Sequence, residues 1–175
     1  HIVSGEALGE WSVDGRSPEL YVKPQTADDL ATVLKVSEEA EAAVIPRGAG
    51  TKMALGNVPK EYRVSLSTRS LNGVLEYTPA DMTVSVQAGM KLLDLQAVLA
   101  TEKQFLPLDP PHGQTATIGG ILAANSSGPL RAGYGTLRDH LIGIRVAHVD
   151  GIITKAGGKV VKNVTGYDLN KLYTG

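Results

Sequence analysis

Two glycine-bearing segments hold the residues in this chain best suited to chemistry, and the chemistry they suit is the binding of an anionic ligand. The first is Pro46-Arg47-Gly48-Ala49-Gly50-Thr51-Lys52, which follows the apolar run 43–45. Glycines at 48 and 50 let successive backbone N–H groups turn toward one point, and Arg47, Thr51 and Lys52 add charge and a hydroxyl. A plain tight turn would use the same glycines, so both readings stand at this level. The loop is not the dinucleotide fingerprint of the doubly wound fold, because position 53 is Met53 and no helical pattern follows. Nor is there a Walker loop, since Gly157-Gly158-Lys159 lacks both the glycine five residues before Gly158 and the following Ser or Thr.

The second segment runs from Thr115 to Arg138, TATIGGILAANSSGPLRAGYGTLR. Thr117 is expected to cap a short helix whose first turn carries Ile118, Gly119 and Gly120, with 121–124 as its apolar face. A helix N-terminus without bulky side chains suits a pyrophosphate and would complement the first loop from the opposite side. Two such cradles facing one groove suggest a dinucleotide; the bland reading is a glycine-rich connection between core elements. His112 lies just upstream, behind Pro110 and Pro111, which stiffen the approach. A hydrogen-bonded loop imidazole is the more usual reading of such a histidine than a catalytic one.

Composition removes several alternatives. The chain has 175 residues, formal net charge -1 and no cysteine, so it is long enough for a proper core and holds no disulfide, thiolate metal site or cysteinyl tether. The histidines His1, His112, His140 and His148 lack metal-ligand spacing, and no built-in metal is expected. There is no basic run for nucleic acid, and no apolar run approaches the ~18 residues of a membrane span. The start, HIVSGEALGEW, lacks the regions of a signal peptide, and a cytoplasmic protein is expected. The sequons at Asn125 and Asn163 are read as chance.

The elements that must position the two segments follow from periodicity. Leu20 to Lys23 reads as a strand closed by Pro24, and Thr26 with Asp29 forms a capping box for a helix over 27–42. Leu30, Val33, Leu34 and Val36 are expected on its buried face, and the run 43–45 completes a parallel strand–helix–strand unit. Strands are expected at 62–67, 73–77 and 83–87, the last two joined by a turn at 79–81, with a second amphipathic helix over 91–102. Leu141 to Val149 and 152–155 form a hairpin about Asp150-Gly151, followed by a strand at 159–163 and a helix at 167–173.

In this order, PRGAGT after a strand, a Pro-Pro segment, TIGGILAANSSG, GYGTLRDHLIGIRV, an Asp-Gly hairpin and GGKVVKNVTGYDLNKLYTG resemble the FAD-binding domain of the vanillyl-alcohol-oxidase or PCMH type, from about Tyr21 to Gly175. Within it, VKNVTGYDLNKL and the histidine-free first loop are most similar to the FAD-binding subunit of glycolate oxidase and FAD-linked D-lactate and 2-hydroxyacid dehydrogenases. The resemblance implies an α+β fold: a small parallel β-α-β subdomain over 1–67 and a larger, mostly antiparallel subdomain with flanking helices over 68–175. It implies noncovalent FAD, with the pyrophosphate on Pro46, Arg47, Gly48, Ala49, Gly50, Thr51 and Lys52 and on Thr117, Ile118, Gly119 and Gly120. Further contacts are implied at Pro110, Pro111, Ser126, Ser127, Gly128, Tyr134, Gly135 and, through its backbone, Val146 beside the adenine.

The implied activity is oxidation of a small 2-hydroxy acid, glycolate or D-lactate, to the 2-oxo acid. Electrons would pass to an acceptor or to partner subunits, an iron–sulfur subunit and a second flavin subunit of a glycolate oxidase complex. Such partners could bring peripheral association with the inner face of a membrane. The family continues with a Gly-Ser-x-Gly-Thr-Leu-Gly-like strand and a substrate-capping domain, which this sequence lacks, so the fragment alone is expected to be inactive and no catalytic residue is assigned. The alternatives within the fold are an enolpyruvyl sugar nucleotide reductase and the FAD subunit of a molybdenum hydroxylase. Outside enzymes, the alternative is a non-catalytic nucleotide-binding module.

Overall fold

A computed structural model describes residues 2–4, 6–158 and 167–175. Thr26 starts helix α1 (Ala27–Glu39): its Oγ1 accepts from the Asp29 N–H at 3.0 Å, and the Asp29 carboxylate accepts from the Thr26 N–H at 3.1 Å. This reciprocal pairing satisfies two helix-terminal donors locally, which is why so short a motif fixes the start. The helix stops at Glu39 rather than Ala42, and Glu41 takes a left-handed conformation with φ 49°. Its Leu30, Val33 and Leu34 pack on Val22, Val64 and Leu66. Val36, expected on the same face, is 56% exposed, because two residues beyond Leu34 the helix has turned by about 200°.

Strands β1 (Ile2–Ser4), β2 (Leu20–Val22), β3 (Val44–Arg47) and β4 (Val64–Ser67) form one sheet in the order β1-β2-β4-β3. Both β2 and β3 pair parallel with β4, which lies between them, and β1 is antiparallel to β2. The β2–α1–β3 crossover therefore leaves a gap one strand wide, filled by β4, whose four residues are all buried. Parallel pairing of Arg47 with Ser67 also brings the loops that follow β3 and β4 to the same edge.

The rest of the chain pairs antiparallel, in two hairpins rather than one larger sheet among the described residues. Strands β5 (Val74–Thr78) and β6 (Thr83–Val86) turn through a 3-10 segment at Pro79–Asp81 and a left-handed Met82. Helix α2 (Leu92–Ala100) buries Leu95 and Leu99 with Met90 against Tyr77, Val84 and Val86. Strands β7 (Gly143–Ala147) and β8 (Ile153–Gly157) turn at Asp150-Gly151, where Gly151 has φ 81° and the Ile152 N–H donates to Asp150 Oδ1 at 2.9 Å. Between the hairpins lie helices α3 (Ile118–Ala123), α4 (Arg131–Tyr134) and α5 (Leu137–His140), and Ile121 and Leu137 join Leu92, Leu108 and Ala116 in one core cluster. Helix α6 (Leu169–Leu172) is shorter than the 167–173 expected, and the strand expected at 159–163 lies outside the described residues. The fold is α+β.

Candidate functional site

The loop after β3 packs on two arginines, Arg47 and Arg69. Among the described residues, no backbone N–H from Gly48 to Lys52 donates to a protein acceptor. Polar backbone groups left this way call for a partner, and consecutive ones in a glycine turn make an anion-binding concavity. Against the same loop lies the Arg47 guanidinium, whose Nε and Nη1 are buried without a hydrogen-bond partner. The Gly50 turn, with φ 78°, passes so close that a β-carbon there would come within 2.6 Å of Arg47 Nη2. Arg69 Nη2 donates to the Ala49 carbonyl at 3.2 Å, fixing one peptide of the loop and adding a second positive charge.

Thr117 joins this loop to the second segment. Its Oγ1 accepts from the Gly120 N–H at 3.3 Å as the α3 cap, and a β-carbon on Gly48 would overlap the same oxygen. Gly48 and Thr117 thus meet at one edge, while Pro46 is exposed in β3 opposite Leu66, but the first turn of α3 is not an open donor set. The Ile118 N–H donates to Met90 O and the Gly119 N–H to Ala88 O, both at 2.8 Å. With the Gly120 N–H spent on the cap, the expected anion wall at 117–120 has no free backbone donor at 118, 119 or 120, and the segment buttresses the loop instead. Gly119 is required by packing: a β-carbon would sit 2.8 Å from Ala88 Cβ.

At the far end of α3, about 9 Å on by its six residues, a second group converges. Pro110 is buried and Pro111 exposed. Gly128, with φ 78°, packs so tightly on Asp109 that any side chain would overlap it, and Asp109 Oδ1 accepts from the Leu130 N–H at 2.9 Å. Buried Ser127 accepts from the Leu137 N–H at 2.9 Å through its Oγ, tying this turn to α5. Ser126 and Gly128 line an open hollow of about 380 Å³ with Asn125, Pro129 and Arg131. Tyr134 is half exposed, edge-on to Phe105 with ring centroids 5.7 Å apart. Gly135, φ 88°, precedes a second cap in which Asp139 Oδ2 accepts from both the Thr136 hydroxyl and N–H at 2.7 Å. That hydroxyl above all, with the N–H, holds the Asp139 carboxyl below its ordinary range.

Two expected residues sit differently. Val146 faces Thr154 in a ladder where His148 bonds Ile152 and Gly158 bonds Ile142. Bonded pairs alternate, so the Val146 backbone is spent on β8 and offers an adenine only its half-buried side chain. His112 is exposed and left-handed, φ 61°, and its carbonyl accepts from the Thr115 and Ala116 N–H groups. Sequence reasoning missed Arg69 and Asp109. Arg69 had a signal: if β3 and β4 run parallel side by side, the residues after each must be neighbours. Among the described residues no cluster of His, Asp or Glu suits a metal, and no helix is long and apolar enough to cross a membrane.

Residues 18–157 match the family model described as "FAD binding domain". The chain is 34% identical over 158 residues to the glycolate oxidase subunit GlcD of Bacillus subtilis, covering 90% of this chain and 34% of the relative. It is 34% identical over 157 residues to the D-lactate dehydrogenase of Archaeoglobus fulgidus, covering 89% and 35%. Among solved structures, an alkyldihydroxyacetonephosphate synthase superposes with TM-score 0.77 at 25% identity, over 91% of this chain and 29% of that one. The chain spans about a third of the curated relatives it matches.

Proposed function

This chain belongs to the FAD binding domain family, and from that premise we propose that it is the cofactor-holding portion of an oxidoreductase acting on a 2-hydroxy acid. The backbone N–H groups of Gly48, Ala49, Gly50, Thr51 and Lys52 would hold the FAD diphosphate, with the charges of Arg47, Lys52 and Arg69 beside it. Thr117 and Gly119 keep that loop and α3 in register. Pro110, Pro111 and the stretch from Ser126 through Tyr134 to Gly135 would line the flavin, and the Val146 side chain the adenine. FAD supplies the acceptor, at flavin N5, for the hydride leaving the substrate carbon that bears the hydroxyl.

The chain's own share is binding and orientation: unpaired donors at the loop fix the diphosphate, and α3 sets the span to the flavin end. The catalytic base and most substrate contacts belong to the remaining length of proteins of this kind. Glycolate and D-lactate are the favoured substrates because the relatives are named for them. That one relative is a subunit supports partner proteins that take up electrons; the cytoplasm or the inner membrane face is our proposal for where such an assembly works. We divide the chain for this purpose at 67/68, where the parallel sheet ends.

The observation that carries this reading is the run of unengaged N–H groups in a loop that packs on a guanidinium whose Nε and Nη1 are buried without a hydrogen-bond partner, inside the matched region. Titrating purified protein with FAD, and with FMN as a control lacking the second phosphate and the adenine, tests it. Saturable FAD uptake that FMN does not reproduce is expected; no uptake of FAD would refute it.

A further inference from the structure

We propose that Trp11 is a positioning residue for the FAD diphosphate, a platform that fixes the Arg47 guanidinium against the Gly50 turn of the Gly48–Lys52 loop. The proposal rests on the diphosphate placement proposed above. Trp11 ends a 3-10 helix (Glu6–Trp11) that precedes the parallel sheet and lies outside the matched residues 18–157. It is fixed from two directions. One ring face stacks on buried Tyr21 with centroids 4.0 Å apart and planes 18° from parallel, and the Trp11 carbonyl accepts from the hydroxyl of buried Tyr62 at 3.1 Å. Arg47 Cζ lies over the indole, 5.1 Å from its centroid.

The guanidinium is therefore held between an aromatic column and the Gly50 turn, whose α-carbon leaves no room for a β-carbon beside Nη2, Nε or Cζ. An arginine is suited to this slot because its planar group stacks on a ring and keeps its charge when buried. Burying Nε and Nη1 without an acceptor is unfavourable in the protein alone. An anion held by the unengaged N–H groups of the loop would lower that cost, as the guanidinium lies against the Gly50 turn of the same loop. Without the indole, the guanidinium is free to leave the slot for water, and the loop loses the charge that the anion would meet.

The test uses FAD titrations by calorimetry on wild type, Trp11→Leu and Trp11→Phe, with circular dichroism on each. Trp11→Leu should weaken FAD by about 3- to 30-fold, the span of exposed to desolvated cation–π contacts. Trp11→Phe should recover most of the loss, which a merely space-filling role would not require. Trp11 is the sole tryptophan, so ADP, which carries the diphosphate without the flavin, should change its emission in wild type and not in Arg47→Gln. Equal FAD affinity in wild type and Trp11→Leu overturns the proposal, as does a Trp11→Phe as weak as Trp11→Leu. Should Trp11→Leu fail to fold, the emission experiment decides: a wild-type signal unmoved by saturating ADP also overturns it. A wild type that takes up no FAD refutes the functional reading itself, which separates the two failures.

Discussion

Replacing Gly119 and Gly120 one at a time by alanine separates packing from ligand binding inside α3. A β-carbon on Gly119 would stand 2.8 Å from Ala88 Cβ and 2.9 Å from Ala88 O. Carbon contacts are comfortable near 3.5–4.0 Å, so the overlap is about 0.7 Å or more. Ala88 cannot retreat freely, because its carbonyl accepts the Gly119 N–H at 2.8 Å. Overpacking costs about 1–3 kcal/mol, weakening that bond adds up to about 1.5 kcal/mol, and the better helix propensity of alanine returns about 1 kcal/mol. Gly119→Ala should therefore lose up to about 3.5 kcal/mol and centrally about 2 kcal/mol, a central fall in Tm of about 4–8 °C for a chain of this size. At Gly120 the added carbon meets only Thr117 Oγ1, at 3.1 Å. There the propensity gain and the pressure on the cap nearly cancel, and Gly120→Ala should melt within about 3 °C of wild type. Thermal unfolding by circular dichroism, without FAD, reads both. Gly119→Ala melting with wild type, or Gly120→Ala falling as far as Gly119→Ala, would refute the reasoning.

Ser127→Ala leaves the buried Leu137 N–H without its acceptor and should cost about 1–3 kcal/mol in urea unfolding; an unchanged midpoint contradicts the tie between this turn and α5. Arg69→Ala removes the bond to the Ala49 carbonyl and should weaken FAD by about 0.5–1.5 kcal/mol in a calorimetric titration, with little change in Tm; equal affinity would mark Arg69 as a solvated charge. The Asp139 carboxyl is held below its ordinary range in the folded chain. Its stabilisation is present above the unfolded pKa and lost as pH falls through the lower folded value. Unfolding midpoints measured down that acid limb should fall less steeply for Asp139→Asn than for wild type, and identical slopes would refute the cap's share.

What could be read from the sequence was what short-range chemistry decides. Thr26 with Asp29, Thr117 with Gly120, and Asp150-Gly151 are satisfied within three residues, so their spacing carries the whole signal. The alternation over 83–87 and the apolar spacing of α2 are equally local. What could not be read is set by partners far along the chain. The insertion of β4 between β2 and β3 decides that Arg69 reaches the loop. Gly119 owes its identity to Ala88, which no periodicity links to it, and the N–H groups at 118 and 119 look free until Met90 and Ala88 are placed against them. Glycines in a capped turn fit a phosphate or a neighbouring backbone equally well on paper, and only the register between α3 and the 88–90 turn separates the two.

The central claim is that the donors of the loop after β3, and not those of α3, bind the cofactor's diphosphate. Amide chemical shifts followed during an FAD titration test it most directly. The account predicts large, saturable movement of the Gly48, Ala49, Gly50, Thr51 and Lys52 amides, with much smaller changes at Ile118 and Gly119, whose N–H groups are already engaged. Saturation by FAD with the 48–52 amides unmoved would contradict it.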